Sequence, residues 1–264
     1  MSDHKREDPH GVPPSPPPPP PAKEESGGSP GTRLSVAEIH ENVTSAAKEE
    51  LVRPAASLLW SALGAGLTIS FSFVAGAYLA SLVESDAAKE AMVSLAYPLG
   101  FIYVVLARHQ LFTEQTLEPV LPLLEQPSRR RFRQLLRLWG LVLAANLVGA
   151  LVIALLLART SVLKLDMLGE LDHVARTATA GGFGGVFYKA IFAGWLVALM
   201  AWLVAATEST VGQMLLIWLT TAPISALGFK HSIAGSTEAF YRVFRHDAGW
   251  SEMTGGFIVP AVLG

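Results

Sequence analysis

Ala107-Arg108-His109-Gln110-Leu111-Phe112-Thr113-Glu114-Gln115-Thr116 interrupts what is otherwise a membrane-spanning run. Seventeen uncharged residues, Ala91 to Ala107, lead into it, and a second apolar run, Leu117 to Leu124, follows with only Glu118 to break it. One unbroken helix would carry an arginine, a histidine and a glutamate through hydrocarbon, at roughly 3 kcal/mol or more for each charge. Backbone that leaves the helix at membrane depth is tolerated only where protein surrounds it or where it lines a cavity. The stretch is therefore read as a mid-membrane break in a spanning helix, lining a pathway.

The rest of the composition agrees. Hydrophobic residues make up 51% of the chain and mean hydropathy is +0.39, although the first thirty-odd residues are polar and proline-rich. That combination marks an all-α integral membrane protein whose partner is the lipid bilayer. A net charge of −2, with no basic cluster interleaved with aromatics, argues against a nucleic-acid partner. The absence of cysteine excludes disulfides, a thiolate nucleophile and a thiolate metal site. No metal or other cofactor is expected. No cleavable signal is visible, because the charged N-terminus runs into prolines rather than an apolar segment.

Residues 1–34, with six consecutive prolines from Pro16 to Pro21, are expected to form a disordered tail of polyproline II character. Residues 35–53 read as an amphipathic interfacial helix. Ser35 and Glu38 fit a capping box, and Val36, Ile39, Val43, Ala47 and Leu51 recur at helical spacing. Residues 55–264 form the transmembrane domain. Spans are expected at Ala55–Val83, where Gly64, Gly66 and Gly76 allow close packing, and at Ala91–Leu124, the broken segment. Three more follow at Leu138–Ala158, at Ala190–Thr207 and from Ser209 to Lys230. A sixth apolar run, Met253 to Gly264, has twelve residues, too few to cross a bilayer, so the last helix is expected to be truncated here. Arg129, Arg130, Arg131, Arg133 and Arg137 follow the second span, whereas the loop after the first has only Lys89. The positive-inside rule puts the arginines, and the N-terminus, in the cytoplasm. The longer loop from Arg159 to Lys189 then faces outward.

The fifth span breaks as the second does. Its apolar run reaches Ala226-Leu227-Gly228-Phe229, meets Lys230-His231-Ser232, and resumes before Glu238. Interrupted helices at equivalent places in two three-helix halves predict an inverted repeat with its site at the midplane.

These residues carry a resemblance. Gln110-Leu111-Phe112-Thr113-Glu114 in a broken second helix, with Gly228-Phe229-Lys230-His231-Ser232 in a broken fifth, resembles the formate/nitrite transporter family. The longer match, adding Arg137-Leu138-Trp139-Gly140 and Gly235-Ser236-Thr237-Glu238, is most similar to its YfdC-like branch. The resemblance covers about residues 36–264. It implies an aquaporin-like six-helix protomer, a homopentamer with one pore per subunit, and a place in the bacterial inner membrane. The cargo it implies is a small monovalent weak-acid anion such as formate, nitrite or acetate. The family's central threonine would be Thr113, its central histidine His231 and its loop constriction Leu111. Gly194 stands where many members have a fourth-helix asparagine, and Glu114 where many have a smaller residue.

Thr113 and His231 are thus the leading pore candidates, with Leu111, Phe112, Glu114 and Lys230 beside them. His231 suits a proton or hydrogen-bond donor to a passing anion; otherwise it ties two loop ends together. Thr113 either contacts the anion or caps the second half-helix, and the N-termini of both half-helices would add positive potential. Glu114, Glu118 and Glu238 are expected to pair with Lys230, Arg108 or His109, as intramembrane charges usually do. Tyr97, Phe101, Val197 and Ile224 are constriction candidates. Lys189 and Arg176 either draw anions to the outer mouth or only snorkel at the interface. The expected function is passage of weak-acid anions, with proton linkage at His231 and Thr113. A non-transporting scaffold or sensor of the same fold and a neutral-solute channel are the alternatives. No enzyme motif is found: neither His-Glu-x-x-His nor Gly-x-Ser-x-Gly occurs.

Overall fold

The computed structural model describes residues 34–164 and 167–264, and all regular structure among them is helical. The proline-rich tail expected over residues 1–34 lies outside the described residues, apart from Leu34. Helix α1 (Val36–Val52) forms with both halves of the capping box, Glu38 N–H to Ser35 Oγ and Ser35 N–H to the Glu38 carboxylate. Its stripe Ile39, Val43, Ala47 and Leu51 is buried, and the helix packs on other helices of the bundle. Val36, at the first turn, is exposed instead.

The first span is α2 (Ala55–Ile69) and α3 (Phe71–Ala80), joined at Ser70. The second is α4 (Asp86–Ala96) and α5 (Pro98–Leu106), followed by the break, a 3-10 turn at Glu114–Thr116 and the short α6 (Val120–Glu125). Pro98 removes a helical donor at the α4–α5 joint. Ser72 repairs it: its hydroxyl donates to the Tyr97 carbonyl at 2.6 Å and accepts from the Gly100 amide at 3.2 Å. A side chain at position 100 would come within 2.5 Å of the Ile69 carbonyl oxygen, which is why glycine stands there.

The third span, α7 (Arg129–Arg159), begins earlier than the hydropathy pattern indicates. The arginines expected in a loop form its first turns, started by Ser128, whose hydroxyl accepts from the Arg131 amide. The stretch Arg159 to Lys189, expected to be a loop, contains α8 (Met167–Thr179) and the start of α9 (Phe183–Ala205). Met167, Leu171, Val174 and Ala175 supply the buried face of α8, a helical spacing hidden among polar residues. The fifth span is α10 (Thr210–Ala226) and, after its break, α11 (Ser232–Phe244). Trp250–Met253 (α12), a π-helical turn at Thr254–Ile258 and Val259–Leu263 (α13) complete the described chain. Four of these helical segments are long and apolar enough to cross a membrane: Ala55–Ala80, Asp86–Leu106, Arg129–Arg159 and Phe183–Ala205. The protein is an all-α membrane bundle of two three-helix halves.

The halves share local devices. Each opens with an amphipathic helix, α1 or α8, and each first half-helix ends in the same left-handed turn. At the end of α5, Arg108 (φ 53°) donates to Val105 and His109 to Val104. At the end of α10, Gly228 (φ 66°) donates to Ser225 and Phe229 to Ile224. These are paired Schellman closures.

Packing follows an axial order. Along α7, Leu135, Leu138, Val142 and Ala145 join one apolar cluster, and Ala150, Ala154 and Leu157 join another. Asn146 lies between. The first span switches clusters at Ser70 and α11 switches between Ala234 and Ala239. A polar layer therefore separates two apolar layers. Close backbone contact holds α2 to α7: a side-chain carbon at Gly66 would lie 2.2 Å from the Asn146 carbonyl oxygen, and one at Gly149 would lie 2.7 Å from that of Leu63.

Candidate functional site

The polar layer is built around the two breaks. Asn146, fully buried, holds the first: its Oδ1 accepts from the Phe112 amide at 2.9 Å, and its Nδ2 donates to the carbonyls of Gln110 (2.9 Å) and Ala62 (2.7 Å). Seven residues earlier on α7, and so on the same face, Trp139 Nε1 donates to the Gln115 carbonyl at 2.7 Å. Two side chains of one helix thus pin both ends of the loop. The sequence shows Asn146 within the third span but not its role, for which an uncharged amide in an apolar run was the signal. In the second break, Phe229 stacks on Phe192 of α9, with centroids 5.2 Å apart and planes 16° apart.

The breaks meet at Thr113 and His231. Thr113 Oγ1 lies 2.9 Å from His231 Nε2, and both residues are buried. The Ala234 amide donates to His231 Nδ1 at 3.2 Å, making His231 the N-cap of α11. With Nδ1 occupied as acceptor, the neutral ring carries its proton on Nε2 and donates to Thr113. Thr113, in turn, caps nothing with its hydroxyl, since the 3-10 turn after it has no side-chain cap. Among the described residues, one substantial half-helix N-terminus, that of α11, points at the site. The break in the second span leads into a 3-10 turn and a six-residue helix, because Pro119 and Pro122 remove amide donors there.

The predicted constriction residues gather against this pair. The Phe101 ring meets the His231 ring edge to face, centroids 4.9 Å apart, and Tyr97 packs on Phe101 at 5.3 Å. Tyr97, Phe101, Leu111, Phe112, Val197 and Ile224 all belong to one buried apolar cluster. A cavity of about 230 Å³ reaches His231 between α4, α8, α10 and α11; its polar lining includes Lys89, Glu90, Ser94, His173, Lys230 and Glu238. A second cavity of about 480 Å³ borders Phe112, Thr113, Lys230, His231 and Ser232.

The charges are arranged differently from expectation. Lys230, buried, donates to the Ala178 carbonyl at 2.6 Å and the Thr177 carbonyl at 3.1 Å, at the C-terminus of α8. Among the described residues, Glu114, Glu118 and Glu238 make no ion pair with Lys230, Arg108 or His109. The breaks turn Arg108 outward and leave Lys230 facing the helix end, so backbone carbonyls take the place of carboxylates. Arg176 is bound by Asp247, Nη2 to Oδ1 at 2.7 Å, and neither it nor Lys189 lines the cavity. The cations there are Lys230 and Lys89, the latter paired with Glu170.

The family described as formate/nitrite transporter matches residues 37–264. The chain is 32% identical over 226 residues to the inner membrane protein YfdC of Escherichia coli (strain K12), covering 86% of this chain and 72% of that protein. It is 30% identical over 230 residues to a probable formate transporter of Methanothermobacter thermautotrophicus, covering 75% and 83%. Among solved structures, an FNT family ion channel superposes with a TM-score of 0.71 at 23% identity, covering 86% of this chain and 90% of that one. A pentameric formate channel with formate bound gives 0.66 at 22% identity, covering 79% and 90%.

Proposed function

We propose that this chain, which belongs to the formate/nitrite transporter family, passes small monovalent anions of weak acids across the membrane past Thr113 and His231. The observation that carries the reading is the 2.9 Å contact between Thr113 and His231, where two broken helices meet. Desolvating a bare anion in an apolar constriction costs on the order of tens of kcal/mol, whereas the neutral acid avoids that penalty. An anion in the 230 Å³ cavity would meet the positive end of α11 and the Lys230 ammonium. It shares the His231 Nε2 proton as a hydrogen bond through the Thr113 hydroxyl, takes its own proton from hydronium in the cavity water, and crosses the Phe101–Leu111–Val197 barrier nearly neutral. Gly194 offers no side-chain contact, so selectivity rests on acidity and size rather than on a fitted amide.

The same reading makes the protein a homopentamer of the bacterial inner membrane, as one of its structural neighbours is pentameric and one relative is an inner membrane protein. Exposed Trp195, Leu215 and Leu219 then face lipid or neighbouring subunits. By the positive-inside rule, the arginines opening α7 support a cytoplasmic N-terminus.

The test is uptake of formate, nitrite and acetate by proteoliposomes at two pH values, for wild type and His231→Asn. Uptake that is stronger at acidic pH and lost in the variant is the expected outcome. Titration-dependent uptake that survives the substitution removes His231 from the scheme. A sealed scaffold or sensor is the second reading, favoured by the complete burial of Phe101, Leu111 and Val197. No flux of any anion from correctly assembled protein would establish it. Flux of water or glycerol alone would make the protein a neutral-solute channel.

A further inference from the structure

Glu238 has no part in the contacts that hold the two breaks. It stands two turns beyond His231 along α11, about 10 Å farther up the axis. The residue is 5% exposed, and its carboxyl makes no ion pair or hydrogen bond among the described residues. A buried polar group without a partner is uncommon and calls for a reason. Glu238 lines the cavity of about 230 Å³ that reaches His231. That cavity leads from the exposed Glu90 and His173 inward to the buried Lys230, Glu238 and His231. Gly235, between Glu238 and His231 on α11, also lines it and has no side chain to divide it.

The charges nearby are engaged elsewhere. Lys230 donates to two carbonyls of α8, and Arg242, one turn beyond Glu238, is held by Asp247 and Thr179. On α4, Lys89 pairs with Glu170 of α8, while Glu90 and Tyr97 face the cavity. On α8, His173 faces it too, Asp172 is taken by Arg245 and Tyr241, and Arg176 by Asp247. Lys189 of α9 ends beside Gly228. Glu252 of α12 lies 4.0 Å from Arg242, and α7 carries charge only at its two ends, where Arg159 meets His246. From α2 and the π-helical turn no titratable side chain comes, and from α3 only Tyr78. Glu238 can therefore gain and lose a proton without breaking a contact of the fold.

We propose, on the basis of weak-acid passage through this cavity, that Glu238 is the group that hands cargo its proton. The carboxyl takes a proton from hydronium in the cavity water, releasing water. Its O–H bond then breaks as the proton bonds to an oxygen of the anion, leaving the Glu238 carboxylate and a neutral acid that moves on to Thr113 and His231. Like charge sets the order of events. A carboxylate in so small a cavity repels an anion, so the anion enters only beside the protonated carboxyl, and each anion leaves with one proton. The Lys230 ammonium in the same cavity offsets the charge left behind.

Formate uptake by proteoliposomes across a series of pH values, for wild type, Glu238→Gln and Glu238→Asp, tests this. Wild-type uptake should rise as pH falls and level off once the carboxyl is loaded at every encounter. Glu238→Gln keeps the size but carries no proton. Its uptake should fall about a hundredfold at neutral pH, the low end for losing a general acid while water still supplies protons, and should track hydronium without levelling off. Glu238→Asp should restore the plateau at a reduced rate. Adding formate to the wild-type protein in membranes should also bleach a carboxylic-acid band in the infrared difference spectrum. That band should shift in Glu238→Asp, which assigns it even if the glutamine variant fails to assemble. An unchanged uptake profile in Glu238→Gln, an equal loss at every pH with the plateau kept, or no carboxyl band responding to formate would each overturn the proposal. The second outcome would make Glu238 a structural residue. Wild type that moves no anion while the band responds would overturn the passage reading and leave proton exchange at Glu238 standing.

Discussion

At the scale of the residue, Asn146 decides whether the first break has one conformation. Asn146→Leu preserves volume but strands the Phe112 amide and the Gln110 carbonyl, both drawn into the buried layer. Unmet buried groups cost about 1–3 kcal/mol each, so a loss of roughly 2–5 kcal/mol is expected in unfolding of the detergent-solubilised protein. A loss below about 1 kcal/mol would mean that water or Ser61, which already accepts from the Gln110 amide, takes over. Arg108 is the opposite case. It holds the left-handed position that Gly228 fills in the other half, and a non-glycine residue there is strained by about 1–2 kcal/mol. Arg108→Gly should therefore gain about 0.5–1 kcal/mol after its entropy cost in the unfolded chain. A decrease in the same unfolding assay would show that the guanidinium, not the backbone, justifies arginine at this position.

At the scale of the element, the two breaks were legible because charge interrupts hydropathy at Arg108–His109 and Lys230–His231. Their unequal outcomes were not. Both second halves look apolar, but Pro119 and Pro122 reduce one to a short turn while Ser232 to Phe244 continues as a helix. The α8 helix escaped notice because its apolar face is four residues wide and bordered by charge. Charge partners were the least readable feature, since Lys230 uses carbonyls of α8, and no sequence pattern announces a backbone acceptor. Capping gives a test at this scale. Asparagine is a good N-cap and leucine a poor one, so His231→Asn should retain stability while His231→Leu loses about 1 kcal/mol more. Equal stability of the two, by thermal unfolding, would mean that the Ala234–Nδ1 bond contributes nothing to α11.

At the scale of the whole molecule, the ends of the bundle are held by charge outside the spans. Asp247, in the turn after α11, accepts from Arg176 of α8 at 2.7 Å and from Arg242 of α11 at 2.7 Å. These guanidiniums lower its pKa from 3.8 to about 2. A carboxylate depressed on folding stabilises above its unfolded pKa and loses that contribution as pH falls through the folded value. Asp247→Asn should therefore destabilise at neutral pH by no more than about 1 kcal/mol, given solvent screening. The difference from wild type should shrink between pH 4 and pH 2. A difference that persisted at pH 2 would assign the residue a role in packing instead. The hydrogen bond from Ala234 to His231 has a consequence on the same scale. A proton hopping through an imidazole must land on one nitrogen and leave from the other. In this protein the landing nitrogen is occupied by a backbone amide for as long as α11 stays wound. The ring can offer a hydrogen bond to an anion yet cannot relay protons through itself, so under the proposed passage a proton crosses only bound to cargo, which spares the membrane potential but not the pH difference.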